Sequence, residues 1–301
     1  MTDDEATVAV LGPGGVGGLL AALLARAGHR VICLAGPETA GTLRTDGIRV
    51  RSARFGAFTA RVEADTVLRT APDAVLIAVK HTALEASLAR IPSPALGDAV
   101  LVPFLNGVEH PALLRAHHRP DRVAPAVIRV ESTRVAPGVV EHTSPFAEVD
   151  LTGDPVPRPR LDALASLLAA AGPTTRVLPD EKAALWAKMA FLAPFALLTT
   201  RYGLPLGEVR TRHRDELTAL VTETAAVSTA DGAPADPAAA LARYDGFPAA
   251  MKSSMQRDAE AGRALELDAI GGALLRAARR HGVPVPVAER VVAELGERAG
   301  A

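Results

Sequence analysis

A glycine-rich loop near the start of the chain has the spacing of a phosphate-binding turn. Gly12, Gly14 and Gly17 form a G-x-G-x-x-G pattern between the apolar run TVAVL and an apolar helical pattern. The first glycine of such a loop allows the turn, the second lets a pyrophosphate approach, and the third lets helix and strand pack closely. An accidental cluster in a glycine-rich chain is the alternative. We predict a dinucleotide-binding loop made of Gly12, Pro13, Gly14, Gly15, Val16 and Gly17.

Two polar side chains follow later apolar runs. Lys80 ends the segment AVLIAVK, and Asn106, the single asparagine of the chain, follows VLVPFL. Ligands of open α/β sheets bind outside the carboxyl ends of the strands, so both residues are expected to face the same crevice as the glycine loop. A solvated strand end for Lys80 and an ordinary Asn-Gly turn for Asn106 are the alternatives.

A third polar residue, Lys188, lies in the strongly apolar segment ALWAKMAFLAPFALL. An ammonium group there either extends outward to water or faces a polar cavity. Removal from water lowers the pKa of a lysine, which suits a general acid. Such an acid protonates and stabilises the alkoxide that forms when hydride reduces a ketone.

The segment SSMQRD begins another helical pattern at Ser253 and Ser254, and Glu266 follows twelve residues after Ser254. A serine there can bind a substrate carboxylate or hydroxyl, or it can cap the helix. Glu266 can act in a site, or it can simply favour the start of a helix through the helix dipole.

These residues need a frame of strands and helices to position them. Strands alternating with helices up to Leu178 predict a parallel sheet covered on both faces. Residues 138–151 are expected to form late strands or a hairpin. The expected strands are Thr7–Leu11, Arg30–Ala35, Ala74–Val79, Val100–Leu105, Arg122–Val130 and Thr174–Leu178, and the expected helices are Gly18–Ala27, Thr82–Arg90 and Leu161–Ala171.

Beyond Pro179 the sequence shows helical patterns only. We therefore expect a dinucleotide-binding domain at residues 1–179 and an all-α substrate or dimerisation domain at 180–301, an α/β fold class. The Pro/Ala stretch Ala233–Ala240 is expected to be a loop. The expected helices are Glu181–Tyr202, Glu208–Asp231, Ala249–Ala261 and Leu265–His281.

Composition excludes several classes. A net charge of −1 over 301 residues, with no basic run, argues against a nucleic-acid partner. The single cysteine, Cys33, excludes an internal disulfide and a cysteine-cluster metal site, and we predict no metal. The acidic start is unlike a secretory signal, and the longest apolar stretch contains Lys188 and Pro194. We expect a cytoplasmic protein with no membrane partner.

Taken together, these segments resemble the ketopantoate reductase (2-dehydropantoate 2-reductase) family. The likeness covers most of the chain in the same order: GPGGVGG, AVLIAVK, FLNGVE, PGVVEHT, LWAKMAF and KSSMQRDAEAGRALELDAI. The resemblance implies a Rossmann-type domain joined to a helical domain. It also implies reduction of a 2-oxo acid, a small-molecule carbonyl substrate, with NADPH in the cleft between the domains.

The resemblance also implies roles for individual residues. Lys188 becomes the catalytic general acid, and Glu266 a second catalytic residue that also organises cofactor and substrate. Lys80 and Asn106 join the glycine loop in binding the cofactor. Asn106, Lys188 and Ser254 bind the substrate. A homodimer formed through the helical domain is a further expectation.

Three positions at which the resemblance implies a polar residue are apolar in this sequence. The asparagines that hold the family's substrate correspond to Leu192, Ala196 and Leu206. Since an apolar wall leaves the polar groups of ketopantoate unpaired, a more apolar ketone, 2-oxo acid or imine is an alternative substrate. A regulatory nucleotide-binding protein without turnover is an alternative of another class.

The cofactor's extra phosphate has no clear partner in the sequence. The family's arginine after the second strand corresponds to Gly36, and nearby Glu38 and Arg44 give opposite indications. NADPH is favoured by the resemblance, and NADH is not excluded.

Overall fold

A computed structural model describes residues 5–300, which belong to two compact units. The first, which we call the sheet unit, comprises residues 5–105 and His110–Glu181. The second, the helical unit, comprises Asn106–Glu109 and residues 182–300. The short segment 106–109 therefore packs with residues that follow it by more than 70 positions.

All strands found among residues 5–300 lie in the sheet unit. They are β1 (Thr7–Leu11), β2 (Arg30–Leu34), β3 (Ile48–Ser52), β4 (Gly56–Ala60), β5 (Glu63–Asp65), β6 (Ala74–Ile77), β7 (Val100–Pro103), β8 (Ala126–Arg129), β9 (Ser132–Ala136), β10 (Val139–His142), β11 (Glu148–Leu151) and β12 (Thr174–Val177).

Helices occur in both units. Those of the sheet unit are α1 (Gly15–Arg26), α2 (Pro37–Asp46), α3 (Leu84–Leu88), α4 (Ser93–Leu96), α5 (His110–His117) and α6 (Arg158–Ala170), with 3₁₀ turns at His81–Ala83 and Pro120–Arg122. Those of the helical unit are α7 (Glu181–Tyr202), α8 (Leu206–Arg212), α9 (Arg214–Ala230), α10 (Pro237–Gly246), α11 (Ser254–Glu260), a π-helical segment (Asp268–Gly272), α12 (Ala273–His281) and α13 (Pro286–Gly300). The first residue of α7, Glu181, still belongs to the sheet unit.

The main sheet is parallel and has the order β5-β2-β1-β6-β7. Its central strands are buried on both faces, which explains why β1, β2, β6 and β7 are continuous apolar runs. Cys33 on β2 is fully buried, and burial raises the pKa of its thiol to about 12. This cysteine is therefore a core residue rather than a reactive thiol.

Two smaller sheets complete the sheet unit. One has the order β4-β3-β10-β9 and the other β12-β11-β8. Helix α1 packs against both the parallel sheet and the four-stranded sheet, and a Cβ atom on Gly18 would lie 2.9 Å from Cγ2 of Val140 on β10. The four-stranded sheet thus covers the helix that follows the glycine loop.

The predicted α/β class, a parallel sheet followed by an all-α region, is confirmed. Strands β3, β4, β5 and β9 were not predicted. Of the two alternatives for residues 138–151, late strands are confirmed as β10 and β11. A hairpin is not formed, because β10 pairs with β3 and β9 whereas β11 pairs with β8 and β12.

The helical patterns beyond residue 180 are confirmed in type, but several bounds differ. The expected helix Glu208–Asp231 is interrupted at His213, which leaves the helical conformation and stacks on Tyr202. The helix expected from Ala249 begins only at Ser254, because Ser253 caps it. The helix expected from Leu265 begins at Leu267 and continues as the π-helical segment.

Five helices were missed: α2, α4 and α5 in the sheet unit, and α10 and α13 in the helical unit. Asp236 caps α10 by accepting a hydrogen bond from the backbone of Ala238, so the expected loop at residues 233–240 is partly helical. Helix α13 begins where the carboxylate of Glu223, on α9, accepts from the backbone N–H groups of Val287 and Ala288. This tertiary cap cannot be seen in the local sequence.

Helix α7 is long and apolar enough to cross a membrane by length and composition, with a mean hydropathy of 1.4. Of that apolar window, 72% is buried within the protein, as in the core helix of a globular unit. Trp186 and Met189 on this helix are almost completely buried.

Candidate functional site

The glycine loop has the shape that a bound pyrophosphate requires. Gly12 has φ +86°, and a Cβ there would lie 2.5 Å from Cγ1 of Val79. A Cβ on Gly17 would lie 2.3 Å from the carbonyl oxygen of Gly12. A Cβ on Gly14, by contrast, would have its nearest neighbouring atom 4.0 Å away. Two glycines are therefore needed for packing, and the third leaves room for a ligand beside the backbone.

The helix that follows the loop presents free backbone donors. α1 begins at Gly15, and its N-cap Gly14 provides no side-chain cap. Pro13 is buried and Val16 is half-buried, so the loop is anchored in the core while its first-turn N–H groups remain for an anion. The loop fits the pyrophosphate of a dinucleotide.

The sequence did not show why position 15 must be a glycine. A Cβ on Gly15 would lie 2.2 Å from the carbonyl oxygen of Ser132, the first residue of β9. The hydroxyl of Ser132 also donates a 2.8 Å hydrogen bond to the carbonyl oxygen of Gly15. The extra glycine therefore lets an edge strand of the second sheet hold the loop, a contact with no local sequence signal.

Lys80 lies beyond the carboxyl end of β6. The strand ends at Ile77, and the exposed Lys80 precedes the 3₁₀ turn at His81–Ala83. Val79 packs against Gly12 of the glycine loop, and Lys80 is the next residue in the chain. The role of Lys80 in cofactor binding stays a prediction.

In the helical unit, the structure brings Asn106 and Glu266 together. The side-chain amide of Asn106 donates a 3.0 Å hydrogen bond to Oε2 of Glu266. Glu266 is only 7% exposed and directly precedes the short helical run that starts at Leu267. A buried carboxylate needs such a donor. Residues that the sequence suggested independently thus form one polar pair.

Gly107 permits this contact. It has φ +88°, and a Cβ there would lie 2.3 Å from the carbonyl oxygen of Ala269 in the π-helical segment. Both the left-handed conformation and the close approach require glycine. The Asn-Gly pair is therefore more than an ordinary turn.

An ion-pair network, missed by sequence reasoning, anchors the other end of segment 106–109. Arg276 on α12 donates to Glu109 at 2.7 Å and to Asp268 at 2.7 Å. The hydrogen bonds of both carboxylates raise the pKa of the Arg276 guanidinium further above its ordinary value. Arg276 thus ties the end of this segment to the π-helical segment that follows Glu266.

Lys188 is half-buried on α7, whose neighbouring residues Trp186 and Met189 are buried. Leu192, one turn later on the same helical face, is half-buried, and Ala196, a further turn on, is fully buried. Leu206 at the start of α8 is also fully buried. The three positions where the resemblance expects asparagine are therefore apolar in their surroundings as well as in type.

The two adjacent serines have different environments. Ser253 is buried and caps α11 by accepting from the backbone N–H of Gln256 at 3.0 Å. It also shares a 2.8 Å hydrogen bond with Thr199 on α7. Ser254 is exposed as the first residue of α11. Because Ser253 is the cap, the capping alternative does not account for Ser254.

Within residues 5–300, no group of three or more histidine, cysteine, aspartate or glutamate side chains is arranged to hold a metal ion.

A parallel sheet with a glycine loop between β1 and α1, followed by an all-α unit, defines a Rossmann-type dinucleotide-binding protein. The family model described as Ketopantoate reductase PanE/ApbA matches residues 8–151, and that described as Ketopantoate reductase PanE/ApbA C terminal matches residues 180–299. The chain belongs to the ketopantoate reductase family of oxidoreductases, which act on a C=O group with NAD(P)H.

Individual relatives match over nearly the whole chain. "Uncharacterized oxidoreductase YkpB" of Bacillus subtilis is 30% identical, with 95% of this chain and 96% of that protein covered. The 2-dehydropantoate 2-reductase of Caulobacter vibrioides is also 30% identical, with 97% and 99% covered. The crystal structure of 2-dehydropantoate 2-reductase from Methylococcus capsulatus is 29% identical, with a TM-score of 0.86 and 98% of each chain covered.

Proposed function

We propose that this protein reduces the carbonyl group of a 2-oxo acid such as 2-dehydropantoate to the 2-hydroxy acid, with NADPH as cofactor. The observation that carries the proposal is the pairing of Asn106 with the buried Glu266, in a chain whose glycine loop fits a pyrophosphate. The 2-dehydropantoate 2-reductase of Caulobacter vibrioides, by its name, supports the same reaction.

Gly12, Pro13, Gly14, Gly15, Val16 and Gly17 hold the pyrophosphate, and Lys80 and Asn106 contribute to binding beyond the loop. When bound, the reduced nicotinamide supplies the hydride. Backbone N–H groups at the start of α1 offset the phosphate charge.

Lys188 is the general acid. A half-buried ammonium on an apolar helix interacts more strongly with developing negative charge than an ammonium in water does. Lys188 donates its proton from Nζ to the substrate oxygen as that oxygen becomes an alkoxide, and it returns to the charged form by taking a proton from solvent.

Glu266, oriented by the Asn106 amide, positions the reacting groups and the cofactor. Ser254 offers its hydroxyl to the substrate carboxylate, since Ser253 already supplies the helix cap. Asn106 provides the other polar contact to the substrate. In this arrangement Lys188 contacts the carbonyl oxygen of the 2-oxo acid, and Ser254 and Asn106 contact its other polar atoms.

The apolar positions favour a second candidate substrate. Leu192 shares a helical face with Lys188, and Ala196 and Leu206 belong to the apolar core of the helical unit. A hydroxylated substrate would leave polar atoms unpaired against such residues. A 2-oxo acid, ketone or imine with a larger apolar substituent is therefore the alternative to 2-dehydropantoate.

The proposal is tested by following NADPH oxidation with purified protein and a panel of substrates: 2-dehydropantoate, 2-oxo acids with branched or aromatic side chains, and a cyclic imine. We expect turnover of at least one 2-oxo acid. Higher kcat/KM for an aromatic 2-oxo acid than for 2-dehydropantoate would establish the apolar alternative. Nucleotide binding without turnover of any compound would contradict the proposed reduction.

A further inference from the structure

The guanidinium group of Arg90 lies at the carboxyl end of the second strand of the parallel sheet. Its Nη1 donates to the carbonyl oxygen of Ala35 at 2.9 Å and to that of Thr66 at 2.8 Å. Ala35 directly follows β2, and Thr66 directly follows β5, the neighbouring strand. Two strand ends thus fix the position of this cation.

The charge of Arg90 is not neutralised by a neighbouring carboxylate. The side chain is half-buried, and among residues 5–300 no carboxylate forms an ion pair with it. Its two carbonyl bonds use only Nη1, so the N–H groups of Nε and Nη2 remain for another acceptor. A guanidinium that is fixed in place and keeps two N–H directions for an acceptor suits an anionic ligand, which it can bind through charge-assisted hydrogen bonds.

The acidic groups nearby are directed elsewhere. Asp65 accepts from the backbone of Thr66 at 2.6 Å and from Nε of Arg69 at 2.9 Å. Those two hydrogen bonds hold the pKa of Asp65 below its ordinary value. Glu38 is exposed in the first turn of α2. Neither carboxylate removes the positive charge of Arg90.

In a doubly wound fold the adenosine ribose lies at the end of the second strand, where an arginine accommodates the 2′-phosphate of NADP and an acid binds the free hydroxyl of NAD. We propose that Arg90 binds the 2′-phosphate and makes the protein selective for NADPH over NADH. This inference rests on the proposed cofactor and deepens it, because it names the residue that recognises the extra phosphate.

Two residues close to the end of β2 in the sequence, Gly36 and Arg44, do not provide a partner for the 2′-phosphate. Gly36 has no side chain to offer, and Nη1 of Arg44 donates to the carbonyl oxygen of Ala64 within β5. Arg90 is 55 residues beyond Ala35 in the sequence, so only the fold brings it there.

The test compares wild type, Arg90→Gln and Arg90→Lys by titration with NADPH, NADH, 2′,5′-ADP and 5′-AMP, followed by fluorescence or calorimetry. Arg44→Gln is the matched control, since Arg44 also donates to a backbone carbonyl in β5. Arg90→Lys keeps the charge, which separates loss of charge from loss of the carbonyl contacts.

We expect Arg90→Gln to raise the Kd for NADPH and 2′,5′-ADP about ten-fold or more, because a charge-assisted contact is lost. The Kd for NADH and 5′-AMP should stay within about two-fold, and Arg90→Lys should retain part of the preference. Equal weakening of NADPH and NADH, or unchanged NADPH affinity, would overturn the inference. Wild type that binds NADH but not NADPH would overturn it and leave reduction in place, whereas binding of neither nucleotide would overturn the proposed function as well.

Discussion

The side-chain amide of Asn106 donates a 3.0 Å hydrogen bond to Oε2 of Glu266, a residue 160 positions later in the chain. Glu266 is buried, and a buried carboxylate is stabilised by charge-assisted hydrogen bonds. Segment 106–109 lies in the helical unit because of this bond, the close contact of Gly107 and the ion pair of Glu109. A short piece of chain thus carries one half of a polar pair to the other.

We predict that Asn106 and Glu266 act as one functional group in a double-mutant cycle. Asn106→Ala and Glu266→Gln should each lower kcat/KM about ten-fold or more, because each breaks the same hydrogen bond. The kcat/KM of the double variant should be only slightly lower than that of the less active single variant. Steady-state kinetics of the four proteins gives the coupling energy, and fully additive losses would show that the two residues act independently.

Gly107→Ala should destabilise the protein by about 3 kcal/mol, since a left-handed alanine costs about 1 kcal/mol and the clash with Ala269 adds about 2 kcal/mol. Gly203→Ala is the matched control, because Gly203 also has positive φ, +65°, but no atom within 4 Å of a Cβ. Its expected cost is about 1 kcal/mol. Urea unfolding measures both, and equal losses would show that the close approach to the π-helical segment is unimportant.

Arg276→Met should lower kcat/KM about ten-fold, because it releases Glu109 and Asp268 and lets the segment that carries Asn106 shift. Arg280→Met is the control, since Arg280 reaches the same Glu109 at 3.4 Å from a more exposed position. It should change kcat/KM less than about two-fold. Kinetics that do not distinguish the two variants would argue against a positioning role for Arg276.

Acid should weaken the sheet unit through Asp150. This buried carboxylate accepts from Arg129 at 2.6 Å and from Arg176 at 2.7 Å. Burial alone would raise the pKa of Asp150, but the hydrogen bonds from Arg176 and Arg129 hold it below its ordinary value. The stabilisation is therefore complete above an unfolded-state pKa of about 3.9 and is lost as pH falls through the lower pKa of the folded state.

Asp150→Asn should accordingly cost about 3 kcal/mol near neutral pH, and the difference from wild type should shrink at acidic pH. Asp162→Asn, which breaks an exposed i,i+4 pair with Arg158, should cost less than about 0.5 kcal/mol. Urea unfolding across a pH series measures both. A loss at Asp150 that does not depend on pH would contradict the assignment.

Much of the parallel sheet was predictable because buried parallel strands are continuous apolar runs, as in β1 and β6. Strands β3, β4, β5 and β9 were not, since none is a continuous apolar run: β3 alternates buried and exposed residues, β5 has only three residues and β9 is largely exposed. Helix α13 was missed because its cap, Glu223, comes from another helix.

The candidate site likewise has residues that the sequence could predict and residues that it could not. Local spacing was enough for the glycine loop, because its pattern lies within six consecutive residues, although Gly12 packs against the distant Val79 and Gly15 against Ser132. It could not give Arg90, Ser132 or Arg276, because each acts through a partner more than 50 residues away. The sequence supplied Asn106 and Glu266 as separate candidates, and only the fold joined them.

The central claim is that Lys188 supplies the proton to the substrate. It is tested most directly by comparing kcat for Lys188→Gln with kcat for Lys182→Gln, a control on the same helix whose exposed side chain lies 3.8 Å from Asp231. We predict that Lys188→Gln lowers kcat about 100-fold or more while the Kd for NADPH is unchanged, and that Lys182→Gln stays near wild type. A Lys188→Gln enzyme that reduces the preferred 2-oxo acid as fast as wild type would contradict the account.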